Sequence, residues 1–188
     1  MHTLILGRTR MGKTTWAVEL AKEFKRQGQK VAVLTVAGAG GITDPRWAGV
    51  DLVTADRSKF LKVIRSPNTF RVKVFVDEAN QTVGWHDLEM EATATAGSLN
   101  GLTCHYLSQR ASSFNKSVRE QCSRLVMFRQ GPDDCEAMAR QFIQPALLLG
   151  TRLNKGEYFH CTSERSSLQL GDVFNPKRVI TLAELECR

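Results

Sequence analysis

The stretch that decides the fold is Gly7-Arg8-Thr9-Arg10-Met11-Gly12-Lys13-Thr14. It matches the pattern G-x-x-x-x-G-K-[ST] at every position, and its glycines let successive backbone N–H groups point at one phosphate group. A short apolar run at 3–6 precedes the stretch, and apolar residues at helical spacing follow it at 14–27. The positive end of that helix would face the same phosphate. The stretch therefore predicts a phosphate-binding loop between a strand and a helix.

The phosphate-binding loop predicts a nucleoside triphosphate and a magnesium ion as ligands. The Lys13 ammonium can reach the β- and γ-oxygens, and the Thr14 hydroxyl can hold Mg²⁺. We expect ATP, although Arg8 and Arg10 are unusual in such a loop and leave the choice between ATP and GTP open. The residues predicted to bind the nucleotide are Gly7, Arg8, Thr9, Arg10, Met11, Gly12, Lys13, Thr14 and Thr15.

Two adjacent acids follow an apolar strand predicted at 72–76. Burial of this strand beside the first one would bring Asp77 close to the Mg²⁺ held by Thr14, as a second metal ligand. Glu78, one residue further on, can polarise the water that attacks the γ-phosphate. Asp77 and Glu78, together with Lys13, are therefore predicted catalytic residues.

A third strand, predicted at 102–107, ends in Ser108-Gln109-Arg110. If it is inserted between the two strands above, its polar end points at the γ-phosphate, because ligands in open α/β sheets sit at the carboxyl ends of strands. Gln109 or Ser108 would then sense that phosphate and position water. Gln109 is the candidate catalytic residue, and a glutamine that only satisfies loop hydrogen bonds is the structural alternative.

Strand and helix patterns alternate from the first residue, which predicts an α/β fold with a mainly parallel sheet. Further strands are predicted at 31–36, 52–54 and 125–128, and further helices at 58–65, 86–96, 115–121 and 132–143. Beyond 144 the patterns weaken, although 157–162 and 167–170 are compatible with a β-hairpin, and the tail from 172 has no clear periodicity. We therefore expect a single domain over 1–188, with a core at about 1–143 and a C-terminal extension at 144–188.

Lysine and arginine outnumber the acids by 26 to 19, which gives a formal net charge of +7. This charge favours an anionic partner, most often nucleic acid, although a solvated basic surface would have the same composition. The chain has no run of 18 apolar residues, and its apolar start is too short for a signal peptide. We therefore expect no membrane span and a location in the cytoplasm. The five cysteines form no C-x-x-C pair, which argues against a structural zinc site.

Taken together, the three sites resemble the HerA/FtsK superfamily of DNA-translocating ATPases. The resemblance runs from Gly7 to Gln130 and includes Val76-Asp77-Glu78-Ala79 and the stretches 107–112, 118–123 and 125–129. It implies a P-loop NTPase, built as a three-layer α/β/α sandwich with a RecA/FtsK-like sheet. It also implies a homo-oligomeric ring, usually a hexamer, that hydrolyses ATP and pumps double-stranded DNA through its centre without sequence preference.

The compact length resembles the genome-packaging ATPases of tailless, membrane-containing phages and related archaeal viruses. That resemblance implies packaging of a viral genome into a preformed capsid, in the host cytoplasm or at the virion vertex. A capsid vertex protein would then be a further partner. The N-terminal ring-anchoring and C-terminal DNA-reading domains of larger superfamily members are not recognisable in these residues.

The superfamily also implies an arginine finger, a side chain from the neighbouring subunit that stabilises charge on the transferring phosphoryl group. Arg129 is the first candidate because it ends a strand near the catalytic edge, and the others are Arg110, Arg119 and Arg124. The loop at 37–47, which contains Trp47, is expected either to face the pore or a neighbour in the ring, or to be structural.

Two other functions stay open at the level of sequence. A nucleoside kinase of the thymidine-kinase type has a similar loop and an Asp-Glu-Ala strand end, but it usually carries paired C-x-x-C motifs that this chain does not have. A P-loop nucleotide-switch module is the other alternative. Such a switch needs no water-activating acid, so Glu78 argues against it.

Overall fold

The computed structural model describes residues 2–38, 43–66, 72–84, 87–97, 101–163 and 165–188. The strands are β1 His2–Leu6, β2 Val31–Leu34, β3 Leu52–Thr54, β4 Lys73–Val76, β5 Thr103–Ser108, β6 Cys122–Phe128, β7 Glu157–Thr162 and β8 Arg165–Asp172. The α-helices are α1 Lys13–Arg26, α2 Arg57–Ile64, α3 Ala79–Thr82, α4 Leu88–Ala96, α5 Lys116–Glu120, α6 Pro132–Gln141 and α7 Leu182–Glu186. Among the described residues, 3-10 helices span Pro45–Trp47 and Pro145–Arg152.

These strands form one sheet in the order β3-β2-β4-β5-β1-β6-β7-β8. The strands from β3 to β6 in that order run parallel. β7 pairs antiparallel with β6, and β8 pairs antiparallel with β7, so the C-terminal hairpin continues the same sheet. The predicted α/β fold with a mainly parallel sheet and a C-terminal hairpin is confirmed.

Strand β1 is buried under helices on both of its faces. Leu4 and Leu6 belong to an apolar cluster that also contains residues of α2, α4, α5 and α6. Ile5 belongs to a second cluster, which contains Ala17, Val18 and other residues that cover the opposite face. Because alternate side chains of a strand point to opposite faces, the sheet lies between two helical layers. The three-layer sandwich is therefore observed.

The C-terminal extension contains regular structure that the sequence patterns did not predict. The 3-10 helix Pro145–Arg152 and the five-residue α7 are too short to show a convincing helical period.

The boundaries of α6 and α4 differ from the predicted ones. α6 ends at Gln141 instead of 143, and Ile143 adopts a left-handed φ of 51°. Asp87 caps the first turn of α4, whereas the predicted start at His86 lies outside the described residues. Within the described ranges, no helix is both long and apolar enough to cross a membrane.

Candidate active site

The predicted site residues meet at one edge of the sheet, where the parallel strands end. Each of four residues directly follows a strand: Gly7 follows β1, Asp77 follows β4, Gln109 follows β5 and Arg129 follows β6. β5 lies between β1 and β4 and pairs with both of them. The strand that carries Gln109 is therefore inserted between the loop strand and the acid strand, at the edge where α/β proteins bind ligands.

The base of the phosphate-binding loop is tied to both neighbouring strands. Gly7 N–H donates to the carbonyl oxygen of Ser108 on β5 at 3.2 Å. Arg8 N–H donates to the carbonyl oxygen of Arg129, after β6, at 3.3 Å. Met11 N–H donates back to the Arg8 carbonyl at 3.3 Å and closes a turn. These bonds fix the loop in place before any phosphate arrives.

Steric crowding explains both glycines of the loop. A Cβ atom at Gly7 would lie 2.7 Å from the Cβ atom of Phe128. Gly12 has a φ of 117°, and a Cβ atom there would lie 2.9 Å from Cγ1 of Val173. Arg10 also has a positive φ, 65°, which is uncommon for a residue with a side chain and is often found at ligand sites. The loop backbone is therefore held in a shape that glycine makes possible.

Lys13 lies beneath the loop, with only 6% of its surface exposed. Its ammonium donates a hydrogen bond to the carbonyl oxygen of Arg8 at 3.3 Å. Burial lowers the pKa of Lys13 below its ordinary value, while the charges of Glu78 and Asp77 act in the opposite direction. An anion bound in the loop would add to those negative charges and stabilise the ammonium form.

Asp77 is buried, with 5% of its surface exposed, and two N–H groups contact its carboxylate. The Trp47 indole Nε1 donates to Oδ2 at 3.1 Å, and the Glu78 backbone N–H donates to Oδ1 at 3.1 Å. Burial raises the pKa of Asp77 above its ordinary value, and the hydrogen bond from Trp47 opposes that rise. A cation beside Asp77 would favour its ionised form further.

The groups predicted to hold magnesium line a common cavity. Thr14, Asp77 and Glu78 are among the residues around a space of about 500 Å³. Mg²⁺ takes oxygen ligands, and in phosphate-transfer sites one or two protein groups and the substrate phosphates share the task. A hydroxyl and a buried carboxylate on the same cavity fit that requirement.

Glu78 and Gln109 contact each other across the sheet edge. The Gln109 Nε2 group donates to Oε2 of Glu78 at 3.0 Å. Glu78 has a left-handed backbone with φ 48° and ψ 51°, and such conformations cost energy and cluster at functional sites. The structure therefore brings the predicted water-activating acid and the predicted strand-end amide together.

Gln130 is a site residue that the sequence analysis missed. Its side chain is buried, and Nε2 donates to the carbonyl oxygen of Gln109 at 3.1 Å. Its own backbone N–H donates to the carbonyl oxygen of Gly150 at 3.3 Å. Its Oε1 atom accepts no hydrogen bond from the part of the chain that the structure describes. The sequence signal that could have identified Gln130 is its position, as a polar residue two positions beyond the end of β6.

Trp47 is the second residue that was missed as part of the site. Its side chain has 1% of its surface exposed and packs on Phe75, with ring centroids 5.4 Å apart. The indole is therefore a buried partner of Asp77, which fits the structural alternative for Trp47, and a pore-facing role for the rest of the loop stays a prediction. Residues 39–42 of the same predicted loop lie outside the described residues.

The four finger candidates lie in different surroundings. Arg129 is exposed at the catalytic edge, directly after β6. Arg110 pairs with Asp134, with Nε and Oδ2 3.2 Å apart, and Arg119 donates from Nη1 to the carbonyl oxygen of Ala111 at 2.7 Å. Arg124 is exposed near the start of β6, away from the catalytic edge. Of the four, Arg110 also lines a cavity with Arg8 and Thr9 of the loop.

The C-terminal extension forms one wall beside the loop. Gly156 N–H donates to the carbonyl oxygen of Met11 at 3.0 Å. The Tyr158 ring meets the Trp16 ring edge-on, with centroids 6.1 Å apart. Val173 lies against Gly12, as described above. Residues beyond 144 therefore contact the loop directly and contribute to its shape.

Comparisons with known proteins agree with this geometry at the level of fold. No protein-family model matches the sequence, and no curated protein sequence matches it. The genome packaging NTPase B204 of Sulfolobus turreted icosahedral virus 2, solved in complex with ATP-gammaS, has a similar structure. The TM-score is 0.74 at 14% sequence identity, and the match covers 95% of this chain and 97% of B204.

Two other solved structures share the fold. VirB4 of Thermoanaerobacter pseudethanolicus matches with a TM-score of 0.65 at 12% identity, over 87% of each chain. The cytoplasmic domain of the type VII secretion ATPase EccC of Thermomonospora curvata matches with a TM-score of 0.63 at 12% identity. That match covers 91% of this chain and 25% of EccC. The fold implied by the HerA/FtsK resemblance is therefore confirmed.

Proposed function

We propose that this protein is a magnesium-dependent ATPase that drives DNA translocation, as the motor that packages a viral genome into a preformed capsid. The observation that carries the proposal is the meeting of three elements at one sheet edge. These are the phosphate-binding loop, the buried Asp77 with the adjacent Glu78, and Gln109 in hydrogen-bond contact with Glu78. A nucleotide-binding module without hydrolysis would need the loop and Asp77 but not the water-activating Glu78.

The chain's own residues account for the steps of hydrolysis. Backbone N–H groups of the loop and the Lys13 ammonium bind the β- and γ-phosphates. Glu78 takes a proton from a water molecule whose oxygen attacks the γ-phosphorus, and the bond from that phosphorus to the bridging oxygen of the β-phosphate breaks. Gln109, which donates to Glu78, orients that carboxylate and the water in this proposal. Mg²⁺, held by Thr14 and Asp77, would neutralise charge on the phosphates.

Three observations support ATP and DNA as the ligands. One protein with the same fold, the genome packaging NTPase B204, was solved in complex with ATP-gammaS. The net charge of +7 favours a polyanion. The HerA/FtsK resemblance implies a homo-oligomeric ring, a hexamer in most members, around duplex DNA, and the exposed Arg129 at the catalytic edge is free to meet a neighbouring subunit. A capsid vertex protein is the further partner that packaging requires.

ATP turnover with and without duplex DNA tests the proposal. We expect DNA to stimulate phosphate release, and Lys13→Ala to abolish it. DNA binding in the presence of an ATP analogue should weaken as salt rises, because phosphate contacts release counterions. Binding that does not respond to salt would contradict the motor. Transfer of the γ-phosphate to a nucleoside instead of water would favour the kinase alternative.

The size of the particle, measured with and without an ATP analogue, tests the ring. Head-to-tail contacts close into rings when the rotation between neighbours allows it. We therefore expect a larger species with the analogue and duplex DNA present. A particle that stays monomeric under both conditions, while turnover per chain is the same in dilute and concentrated solution, would rule out the ring.

A further inference from the structure

The short turn Pro45–Trp47 is capped by Asp44 at its start and held beside Asp77 by Trp47 at its end. At its start, the Asp44 carboxylate accepts the backbone N–H of Arg46 at 2.9 Å. At its end, the buried Trp47 donates to Asp77 at 3.1 Å. The residue between these two anchors is Arg46. Its position relative to Asp77 is therefore set by the fold.

The Arg46 guanidinium lies at the mouth of the site. Arg46 lines the same cavity of about 500 Å³ as Thr14, Asp77 and Glu78. Its side chain is 56% exposed, whereas the carboxylate of Asp77 lies in the interior. The charge of Arg46 repels the Lys13 ammonium and attracts the Asp77 carboxylate.

In this structure, the Asp44 carboxylate accepts hydrogen bonds from the Arg46 guanidinium. Nε of Arg46 donates to Oδ1 and Oδ2 of Asp44 at 3.0 and 2.9 Å, and Nη2 donates to Oδ2 at 2.5 Å. A planar guanidinium binds carboxylate and phosphate in the same forked manner. Asp44 therefore occupies donors that suit two oxygens of a phosphate group.

We propose that Arg46 is a catalytic residue that contacts the terminal phosphate of a nucleoside triphosphate bound to the same subunit. In the absence of that phosphate, Asp44 holds the guanidinium. When the triphosphate binds, Arg46 exchanges Asp44 for the γ-phosphate oxygens and stabilises the charge that spreads over them during hydrolysis. The inference rests on the proposed ATPase function and adds a contact from within the subunit to the arginine finger expected from a neighbour.

The first experiment measures which phosphate Arg46 contacts. The affinities of ADP and of an ATP analogue with a methylene group between the β- and γ-phosphates are measured by calorimetry in the presence of Mg²⁺. We expect Arg46→Ala to weaken binding of the analogue about tenfold, the size typical of a charge-assisted hydrogen bond, and to leave the affinity for ADP unchanged. Arg46→Lys should fall between, because it keeps the charge but loses the fork.

Matched variants separate this contact from charge and folding effects. Arg26→Ala removes the same charge from an exposed ion pair at the far end of α1, and should leave both affinities unchanged. Asp44→Asn keeps an oxygen that can accept the Arg46 N–H but removes the competing charge. It should raise the affinity for the analogue about threefold, as expected for an exposed ion pair. Equal losses for ADP and the analogue in Arg46→Ala would overturn the proposal.

A mixing experiment tests that Arg46 acts within its own subunit. Lys13→Ala chains cannot bind the phosphates, and Arg46→Ala chains bind them without the extra contact. We expect no recovery of turnover when the two are mixed, because neither chain holds both groups. Recovery would place Arg46 across an interface and overturn the proposal. Wild-type protein that binds neither ligand would instead refute the proposed ATPase function itself.

Discussion

On the β4 side of the phosphate-binding loop, Asp77 is buried and receives the Trp47 indole N–H, and Arg46 lies close by. On the β6 side, Arg129 is exposed, and a second cavity of about 520 Å³ opens between Arg8 and Asp134. Both sides therefore have a cavity, but the residues proposed to hold the metal on the β4 side come from one chain, whereas the proposed finger on the β6 side is an exposed arginine. The difference indicates where a neighbouring subunit would contribute, and each prediction below tests one side against the other.

The largest effect is expected from the groups between the two sides. Glu78→Gln should reduce turnover about a thousandfold, the range of a lost general base, and should leave ATP binding intact. Lys13→Ala should abolish turnover and weaken binding, because the ammonium contacts the phosphates directly. Phosphate release and calorimetry measure the two effects. Glu19→Gln, an exposed acid on α1, is the neutral control. A folded Glu78→Gln protein that cannot bind ATP would refute the role of Glu78.

The next largest effect concerns the β6 side. Arg129→Ala should bind ATP normally and hydrolyse it at least about a hundredfold more slowly, since an arginine finger acts on the transition state. Mixing it with Lys13→Ala chains should restore some turnover, because each chain supplies what the other lacks across one interface. Arg26→Ala, an exposed arginine at the far end of α1, should keep its activity.

Wild-type turnover by Arg129→Ala would mean that Arg129 is not the finger. Arg110, Arg119 and Arg124 would then be tested in turn. Of these, Arg110 and Arg119 already have partners within the chain, so a role across an interface would require each to leave them. Specific activity that is independent of protein concentration would argue that the β6 side works without a neighbour.

A smaller effect is expected from the β4 side. Trp47→Phe keeps the ring but removes the N–H donated to Asp77, and should lower turnover about tenfold at neutral pH. That hydrogen bond lowers the pKa of Asp77, so its loss raises the pKa, and the ionised form then requires a higher pH. The acid limb of the pH–rate profile should therefore move to higher pH. The same shift should be absent in Trp16→Phe, on the loop's other flank, where the ring meets Tyr158.

The smallest effect is expected from Gln130, whose side chain donates to the backbone carbonyl of Gln109. Gln130→Ala removes the hydrogen bond to the Gln109 carbonyl and should lower kcat about fivefold with KM unchanged, since one neutral hydrogen bond is involved. Gln121→Ala, an exposed residue before β6, is the control. A change in KM without a change in kcat would show that Gln130 acts on nucleotide binding instead of on Gln109.

Most of the site was predictable from the sequence because its parts are local. The loop and the helix after it are adjacent in the chain, and Asp77 and Glu78 come directly after an apolar strand. Gln109 was predictable only on the condition that its strand is inserted between the other two. That condition is met. The order of parallel strands depends on how the connections cross the sheet, however, and local sequence patterns do not predict this order.

Trp47 and Gln130 were missed because their partners are distant in the chain. Trp47 and Asp77 are 30 positions apart, and Gln130 and Gln109 are 21 positions apart, so each pair exists only once the sheet has assembled. Tryptophan in a loop with several glycines was compatible with an exposed role as well as with burial. α7 was missed for a local reason, because five residues contain too little of a helical period to be recognised.

By itself, the sequence determined the phosphate-binding loop, the identity of the two acids and the α/β class, because glycine spacing and hydrophobic periodicity act over a few neighbouring residues. The tertiary structure alone decided the strand order, the burial of Trp47 against Asp77 and the position of Arg46 at the cavity. It also decided that residues beyond 144 pack against the loop. These contacts join segments that are distant in the chain, and they form only when burial of the sheet between two helical layers brings those segments together.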